Sequence, residues 1–402
     1  MTDSIPYLRV GTTYYKTIEK PTISGDKLQI LTKWSRETII HDHEKKYLSK
    51  IPKYDGFCCI PEHINYRKFI DGFYNLYNEI PFQPASGEIQ KENIPFSINF
   101  MSHIFGEQLE FGLDYIKILL LYPTQILPIL CLVSKERSTG KTTFIKWMKE
   151  VFGLNMTYIK GDSFGSQFNS DWASMLLVAI DEVFFDKKEI TERLKYLSTT
   201  NKDKIEAKGK DRQEVNFFAK FVLCSNNELY PVIIDPGENR YWVRKIRPLE
   251  SDDTNFLQRL KAEIPAFLHF LTNRELSTER ESRMWFNPSL LHTEALQRII
   301  RSNRNRLEIE MSELLLDIMA TMNIDSVSFC LNDLVVLLMH SQVKAEKHQV
   351  RKVVQECWKL TPAPNGLTYT TYQGNYNRSC HYEPIKRVGR FYTVTREQLE
   401  SL

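Results

Sequence analysis

Several features are missing from this sequence, and each absence removes a class of explanation. The seven cysteines (Cys58, Cys59, Cys131, Cys224, Cys330, Cys357 and Cys380) contain no C-x-x-C pair and are odd in number. Neither a disulfide framework nor a cysteine-held zinc is indicated, and reduced thiols in a cytoplasmic protein fit best. The N-terminus, MTDSIPYLRV, has no apolar signal core. The most apolar run, Phe111 to Val133, is broken by Asp114, Lys117, Pro123, Gln125 and Pro128. That excludes a membrane span and reads as a buried helix, a turn at Tyr122-Pro123, then a buried strand. Net charge is only +3 over 402 residues, so local clusters must decide whether nucleic acid is a partner. No internal repeat or low-complexity tract is present. His41-Asp42-His43 has no second ligand pair at metal-site spacing and reads as a solvated surface turn.

What is present is an alternation of apolar strands and helices from Phe96 to about Leu249, the pattern of a three-layer α/β domain. Before it, residues 1–90 are rich in tyrosine and turn residues, with two short strands expected around Gly11 and a turn between Pro21 and Gly25. The polar, proline-bearing stretch 80–95 reads as a linker. Helices are expected over Asn255–Asn273 and Leu290–Leu307, filling a helical segment at 251–300. The last part, 301–402, predicts helices over Glu308–Met322, Leu331–His340 and Lys344–Leu360, then a hairpin-like tail of Leu367–Tyr372 with Arg390–Thr395. Three helices and a hairpin suggest a winged helix, and the third helix carries Lys344, Lys347, His348, Arg351 and Lys352. A solvated face that meets protein is the competing reading of those cations. The arginines at 298, 301, 304 and 306 read as a solvated or subunit-facing helix.

The stretch LVSKERSTGKTTF (132–144) resembles a phosphate loop, G-x-x-x-x-G-K-[ST], with Lys135 where the first glycine is expected. Its setting suits the chemistry. The apolar run LPILCLV delivers the chain, and TTFIKWMKEVF predicts a helix with Phe144, Ile145, Met148 and Phe152 on one face. The positive end of that helix and the backbone N–H groups of Ser138, Thr139, Gly140, Lys141, Thr142 and Thr143 would hold a nucleotide's phosphates. Lys141 would reach the β- and γ-phosphates, and the Thr142 hydroxyl would hold Mg²⁺.

Two further apolar runs end in polar residues. MLLVAIDE (175–182) predicts a parallel strand with Asp181 in the Mg²⁺ shell and Glu182 as the base that activates water. AKFVLCSNNE (219–228) ends in Asn226, an amide suited to the lytic water or the γ-phosphate. In PGENRYWVRKI (236–246), Arg240 is a candidate arginine finger for a neighbouring subunit's site, with Arg244 in reserve. Between these motifs, Lys204 to Phe218 predicts a β-hairpin turning at Gly209-Lys210-Asp211, with Lys208, Lys210 and Arg212 at or beside the tip.

The order Lys141, Asp181-Glu182, lysine-rich hairpin, Asn226, Arg240 resembles the superfamily 3 helicases, a branch of the AAA+ ATPases. More closely, it is similar to the helicase part of primase-helicase proteins of phages and mobile elements. The resemblance covers about 95–250. It implies an AAA+ P-loop core between a small mixed N-terminal module (1–90, for docking or oligomerisation) and a C-terminal winged-helix-like domain. It implies ATP and Mg²⁺ as cofactors and a homo-oligomer, a hexameric ring, with no membrane partner. Lys204, Lys208, Lys210 and Arg212 would follow the phosphates of single-stranded DNA in the ring's pore. A primase or replication initiator would be a further partner, since residues 1–90 are too few for a two-metal primase domain. The implied function is an ATP-dependent helicase in replication of a phage or mobile element. The rival is an ATP-binding replication initiator or scaffold with negligible turnover, and a weaker third option is a small-molecule P-loop kinase.

Overall fold

Three stretches that are apolar almost throughout, ILCLV, LVAID and KFVLCS, become the interior strands of one sheet. Strands covered on both faces need no polar side. The computed structural model of the protein describes residues 5–21, 27–166, 169–185, 187–205, 213–235, 237–249, 253–303, 306–341, 343, 345–375 and 381–400. The chain divides into two compact units, Met1–Ile300 and Arg301–Leu402.

The first unit opens with β1 (Tyr7–Val10) and β2 (Thr13–Pro21), an antiparallel pair turning at Gly11 as expected. Next come β3 (Lys27–Trp34), α1 (Arg36–His43) and the short strands β4 (Lys53–Tyr54), β5 (Gly56–Cys58), β6 (Phe69–Ile70) and β7 (Phe73–Asn75). They form a four-stranded sheet, β3-β2-β1-β4, and a three-stranded one, β5-β7-β6. His41, Asp42 and His43 end α1 rather than lying in a turn, and His43 stacks on Tyr47. Side chains just after these strands tie the region to the rest of the unit. Tyr77 and Ile80 are buried in the main core, His63 bridges Tyr77 and the Leu120 carbonyl, and Asn78 exchanges hydrogen bonds with Asn155. Both ends of the stretch read as a linker, Ile80 and Ile94, are buried there too.

The larger part of the unit runs α2 (Pro95–Phe105), α3 (Leu109–Leu121), β8 (Ile129–Val133), α4 (Lys141–Phe152), β9 (Met156–Lys160), α5 (Gly161–Gly165), β10 (Leu177–Asp181) and α6 (Lys188–Leu197). It continues with the hairpin β11 (Lys202–Ile205) and β12 (Gln213–Asn216), then β13 (Lys220–Ser225), β14 (Tyr241–Lys245), α7 (Phe256–Asn273), α8 (Pro288–Leu291) and α9 (Glu294–Ser302). The five long strands pair in parallel in the order β14-β8-β13-β10-β9. Alternation along β8 splits the core in two. Leu130 and Leu132 join a cluster with residues of α2, α3, α4 and α7. Ile129, Cys131 and Val133 join another with Leu194 and Leu197 of α6 and Leu296 and Ile299 of α9. A parallel sheet between two helical layers is the expected three-layer α/β arrangement. Cys131 and Cys224, buried on neighbouring strands, are free thiols. Among the described residues, no helix is long and apolar enough to cross a membrane.

The second unit contains α10 (Arg306–Met322), β15 (Ser326–Phe329), α11 (Leu331–His340), α12 (Lys347–Lys352), β16 (Leu367–Asn375), β17 (His381–Gly389), β18 (Tyr392–Thr395) and α13 (Arg396–Glu400). The expected tail hairpin needs correction. Leu367–Asn375 pairs with His381–Gly389, while Tyr392–Thr395 crosses back to β15. Val327 and Val394, facing each other in that second pair, are both buried in the unit's core, which draws β18 away from the hairpin.

Candidate nucleotide site

In a parallel sheet all strand ends of one kind lie on one edge, so the residues that come after β8, β13 and β10 are neighbours although far apart in sequence. Val133 pairs with Ser225, and Leu223 lies opposite Ile180. The loop 134–140, Asn226 and Asp181-Glu182 therefore share one edge. Two backbone bonds stitch them together: Ser134 N–H to the Ser225 carbonyl (3.2 Å) and Val183 N–H to the Cys224 carbonyl (2.9 Å).

The loop's conformation explains why Lys135 is tolerated. Its left-handed residues are Ser138 (φ 53°) and Gly140 (φ 85°), and Lys135 is not among the positive-φ residues. A glycine is needed where φ is positive, and Gly140 has a second constraint: a Cβ there would lie 3.2 Å from the Phe100 ring. Gly140 caps α4, whose first N–H groups have no partner within the helix. The rim is anchored by His103, whose Nε2 meets the Thr139 carbonyl (3.0 Å), and by Leu249 N–H on the Ser138 carbonyl (3.0 Å).

Lys141 is buried at the centre of the site. Its ammonium has three protons and three oxygens in reach: Ser134 Oγ, Thr139 Oγ1 (3.1 Å) and Asn226 Oδ1 (3.0 Å). Burial pulls its pKa below the ordinary value, and Asp181 pulls it back up. Thr142 Oγ1 faces Asp181 Oδ2 at 3.4 Å, and the other Asp181 oxygen accepts from Glu182 N–H (2.9 Å). Glu182 is itself left-handed (φ 56°). A sharp turn there takes the carboxylate off the strand's line into a cleft of about 750 Å³ lined by Lys135, Glu182, Phe184, Asn226, Asn227 and Glu228. One carboxylate and one hydroxyl are hard oxygen donors that suit Mg²⁺ sharing its shell with phosphate and water. Among the described residues, no group of three or more His, Cys, Asp or Glu could hold a metal alone.

A second cleft, of about 670 Å³, opens beside the same helix. Phe100 and His103 of α2, Thr143 and Lys146 of α4, and Phe256 of α7 line it. The residues that sequence reasoning missed are here and behind the lysine: Ser134, His103, Phe100 and Phe256. Ser134 carried a readable signal, a hydroxyl placed directly after the apolar strand. The others come from helices outside the motif stretch.

The structure thus brings Ser138, Thr139, Gly140, Lys141, Thr142, Thr143, Asp181, Glu182 and Asn226 together. It does not bring Arg240 to them. That residue precedes β14, whose first residue pairs with the first of β8, so it lies at the opposite edge of the sheet. Its guanidinium is held by Glu238 (2.8 Å), which also meets Lys195 (3.5 Å). Arg244 is buried in a two-pronged pair with Glu107 (2.6 and 3.1 Å), so it is not a free finger. Lys204 lies in β11 opposite Glu214, in the base of the expected hairpin. Lys208, Lys210 and Arg212 lie outside the described residues.

Residues 132–244 match the model of a family of unknown function, DUF5906. That span holds every motif described above. No curated protein matches the chain. Among solved structures, the chain is similar to the apo structure of the NrS-1 C-terminal region, at 14% identity and a TM-score of 0.63 over 96% of this chain and 95% of that one. The A form of the same region aligns at 15% identity and a TM-score of 0.61, covering 97% and 96%. At such identities the likeness concerns the fold, and it runs through both units.

Proposed function

We propose that this protein is an AAA+-type ATPase that works as a ring helicase on single-stranded DNA in the replication of a phage or mobile element. The observation that carries this reading is the meeting of Lys141, Thr142, Asp181, Glu182 and Asn226 at one sheet edge. Incoming phosphates would take over the ammonium of Lys141 from Ser134, Thr139 and Asn226, exchanging neutral acceptors for charged ones. The freed Asn226 amide then stands at the cleft to orient the attacking water. Glu182 would accept that water's proton as the new O–P bond to the γ-phosphorus forms and the bond to the β–γ bridging oxygen breaks, with ADP as the leaving group. Thr142 and Asp181 would hold Mg²⁺, which neutralises charge on the phosphate oxygens when bound. The second cleft, apolar on one side and polar on the other, suits the adenine and ribose.

Arg240 lies at the sheet edge opposite its own chain's site, so the phosphate it would meet is a neighbouring subunit's, and it would leave Glu238 to reach it. Six copies in a ring would supply one arginine per interface, and the hairpin with Lys204, Lys208, Lys210 and Arg212 would track the strand in the pore. A primase or initiator would load the ring. The helices and hairpin of the second unit are read as a winged-helix-like domain.

Steady-state ATP hydrolysis with and without single-stranded DNA tests the reading, comparing the native chain with Lys141→Ala and Lys210→Ala. Turnover that DNA stimulates, lost in Lys141→Ala and basal but unstimulated in Lys210→Ala, is expected. ATP bound without turnover would overturn the motor and leave an initiator or scaffold. Turnover indifferent to DNA would point to a small-molecule kinase.

A further inference from the structure

The loop's backbone accepts Lys135, but acceptance leaves open what the side chain does. Three consecutive loop residues, Lys135, Glu136 and Arg137, are charged and exposed. Of the three, Lys135 lines the cleft of about 750 Å³ that also receives Glu182 and Asn226, and the other two do not. The sheet sets this position. Ser134 N–H bonds the Ser225 carbonyl, and Lys135 and Asn226 each follow that bond by one residue. Ser134 also accepts from the Lys141 ammonium. Of two successive residues, then, one backs the buried lysine and the next brings a second ammonium to the cleft.

That ammonium is not used up by the acids around it. Glu228 pairs with Lys245 at 2.6 Å. Among the described residues no ion pair involves Lys135 or Glu182, although both line the same cleft. Opposite charges in one opening that do not pair leave room for a group between them, anionic towards the lysine and carrying a proton towards the carboxylate. A phosphoryl group with its attacking water has that polarity. The other candidate cations of this chain are engaged elsewhere: Arg240 lies at the opposite sheet edge with Glu238, and Arg244 is paired with Glu107.

We propose, resting on the ATPase reading above, that Lys135 is a catalytic cation acting within its own chain. Its ammonium donates to a γ-phosphate oxygen and neutralises the charge that grows there in the transition state. Water's oxygen bonds to the γ-phosphorus, the bond to the β–γ bridging oxygen breaks, ADP leaves with that electron pair, and the water's proton passes to Glu182. Lys135 transfers no proton. Glycine at this position could only shape the loop, and the positive φ values the loop needs are supplied at Ser138 and Gly140. The lysine gives one subunit a basal rate before any neighbour contributes an arginine.

The test compares the native chain with Lys135→Ala, Lys135→Arg and Arg137→Ala, the last removing a charge from the same loop outside the cleft. Three readouts are taken with Mg²⁺ and without DNA: single-turnover ATP hydrolysis, equilibrium binding of ADP and of a non-hydrolysable ATP analogue, and binding of ADP with aluminium fluoride, which stands in for the phosphoryl group in transfer. Lys135→Ala should slow hydrolysis about 10²-fold and weaken the fluoride complex by a similar factor. It should weaken the analogue about tenfold, with ADP affinity and thermal midpoint near native. Lys135→Arg should recover most of the rate, and Arg137→Ala should match the native chain. Native hydrolysis in Lys135→Ala would overturn the proposal and leave the ATPase reading standing. So would equal losses of ADP, analogue and fluoride complex, the mark of a residue that only shapes the loop. No hydrolysis by the native chain would overturn the ATPase reading. In that case, unchanged analogue and fluoride binding in Lys135→Ala would overturn the γ-phosphate contact too, and a selective loss would support it. A native chain that binds none of these nucleotides would overturn both.

Discussion

Lys141 and Lys220 are both buried lysines of the same α/β core, at opposite edges of its sheet. Lys141 comes after the end of β8, while Lys220 starts β13. Burial lowers the pKa of each. Around Lys141 stand two hydroxyls and the Asn226 amide, which itself lines an open cleft, with Asp181 near enough to favour the charge. Among the described residues, the hydrogen-bond partners of Lys220 are the carbonyls of Pro123 and Phe218, and burial pushes its pKa down to about 7. His63 nearby is held low, at about 4, chiefly by burial and further by the charge of Lys220. The contrast teaches that a buried lysine is not by itself a functional sign. What distinguishes Lys141 is that its partners are side chains rather than fixed backbone carbonyls, and that one of them, Asn226, lines an open cleft.

The strongest way to break this comparison is to remove each ammonium. Lys141→Ala should reduce ATP turnover by about 10² to 10³, the order seen when one donor to developing charge is lost, with the thermal midpoint little changed. Asn226→Ala should cost roughly tenfold to a hundredfold in kcat by the same logic, with nucleotide affinity nearly intact in an equilibrium titration. If both variants turn over normally, the shared strand edge is not the reaction centre.

Lys220 should announce itself through pH instead. Its folded pKa of about 7 lies below the ordinary 10.5, so the unfolded chain binds more protons between those values. Its contribution to stability therefore rises with pH across that window, by at most about 1.4 kcal/mol per unit, and its cost is greatest below pH 7. Relative to the native chain, Lys220→Met should be at its best near pH 6.5 and lose ground towards pH 9.5, read by urea unfolding at each pH. A difference that stays flat with pH would mean the ammonium is not confined as described. The smallest expected effect is at Gly140→Ala. A left-handed φ and the Phe100 ring oppose a methyl there, so the loop should lose about 1 kcal/mol or somewhat more. The change should be seen as weaker nucleotide binding with the global melt nearly unchanged.

Much of the site could be read from the sequence because its residues sit directly after apolar strands, where periodicity and neighbourhood in the chain agree. Asp181-Glu182 and Asn226 needed only the inference that their strands run parallel. Lys135 looked like a defect while the loop was compared with a pattern, and ceased to be one once positive φ was found at Ser138 and Gly140. Non-local pairings were not legible. β18 was assigned to the wrong partner because Val327 and Val394 share a core across more than sixty residues. Phe100 and His103 reach the loop from α2, and no motif marks them. Nothing in the run AKFVLCSNNE marks Lys220 as buried, since no local feature shows that the chain closes over it.

The edge strand β14 ties two distant points of the first unit together. At its far end the chain is fastened to the loop, through Leu249 N–H on the Ser138 carbonyl, and along its length it is bonded to β8. At its near end stands Arg240. Five residues of strand span about 17 Å, and a paired strand does not stretch. The element is a rod with the loop 134–140 fastened at one end and an arginine at the other. Whatever the arginine grips is thereby kept at a set distance from that loop.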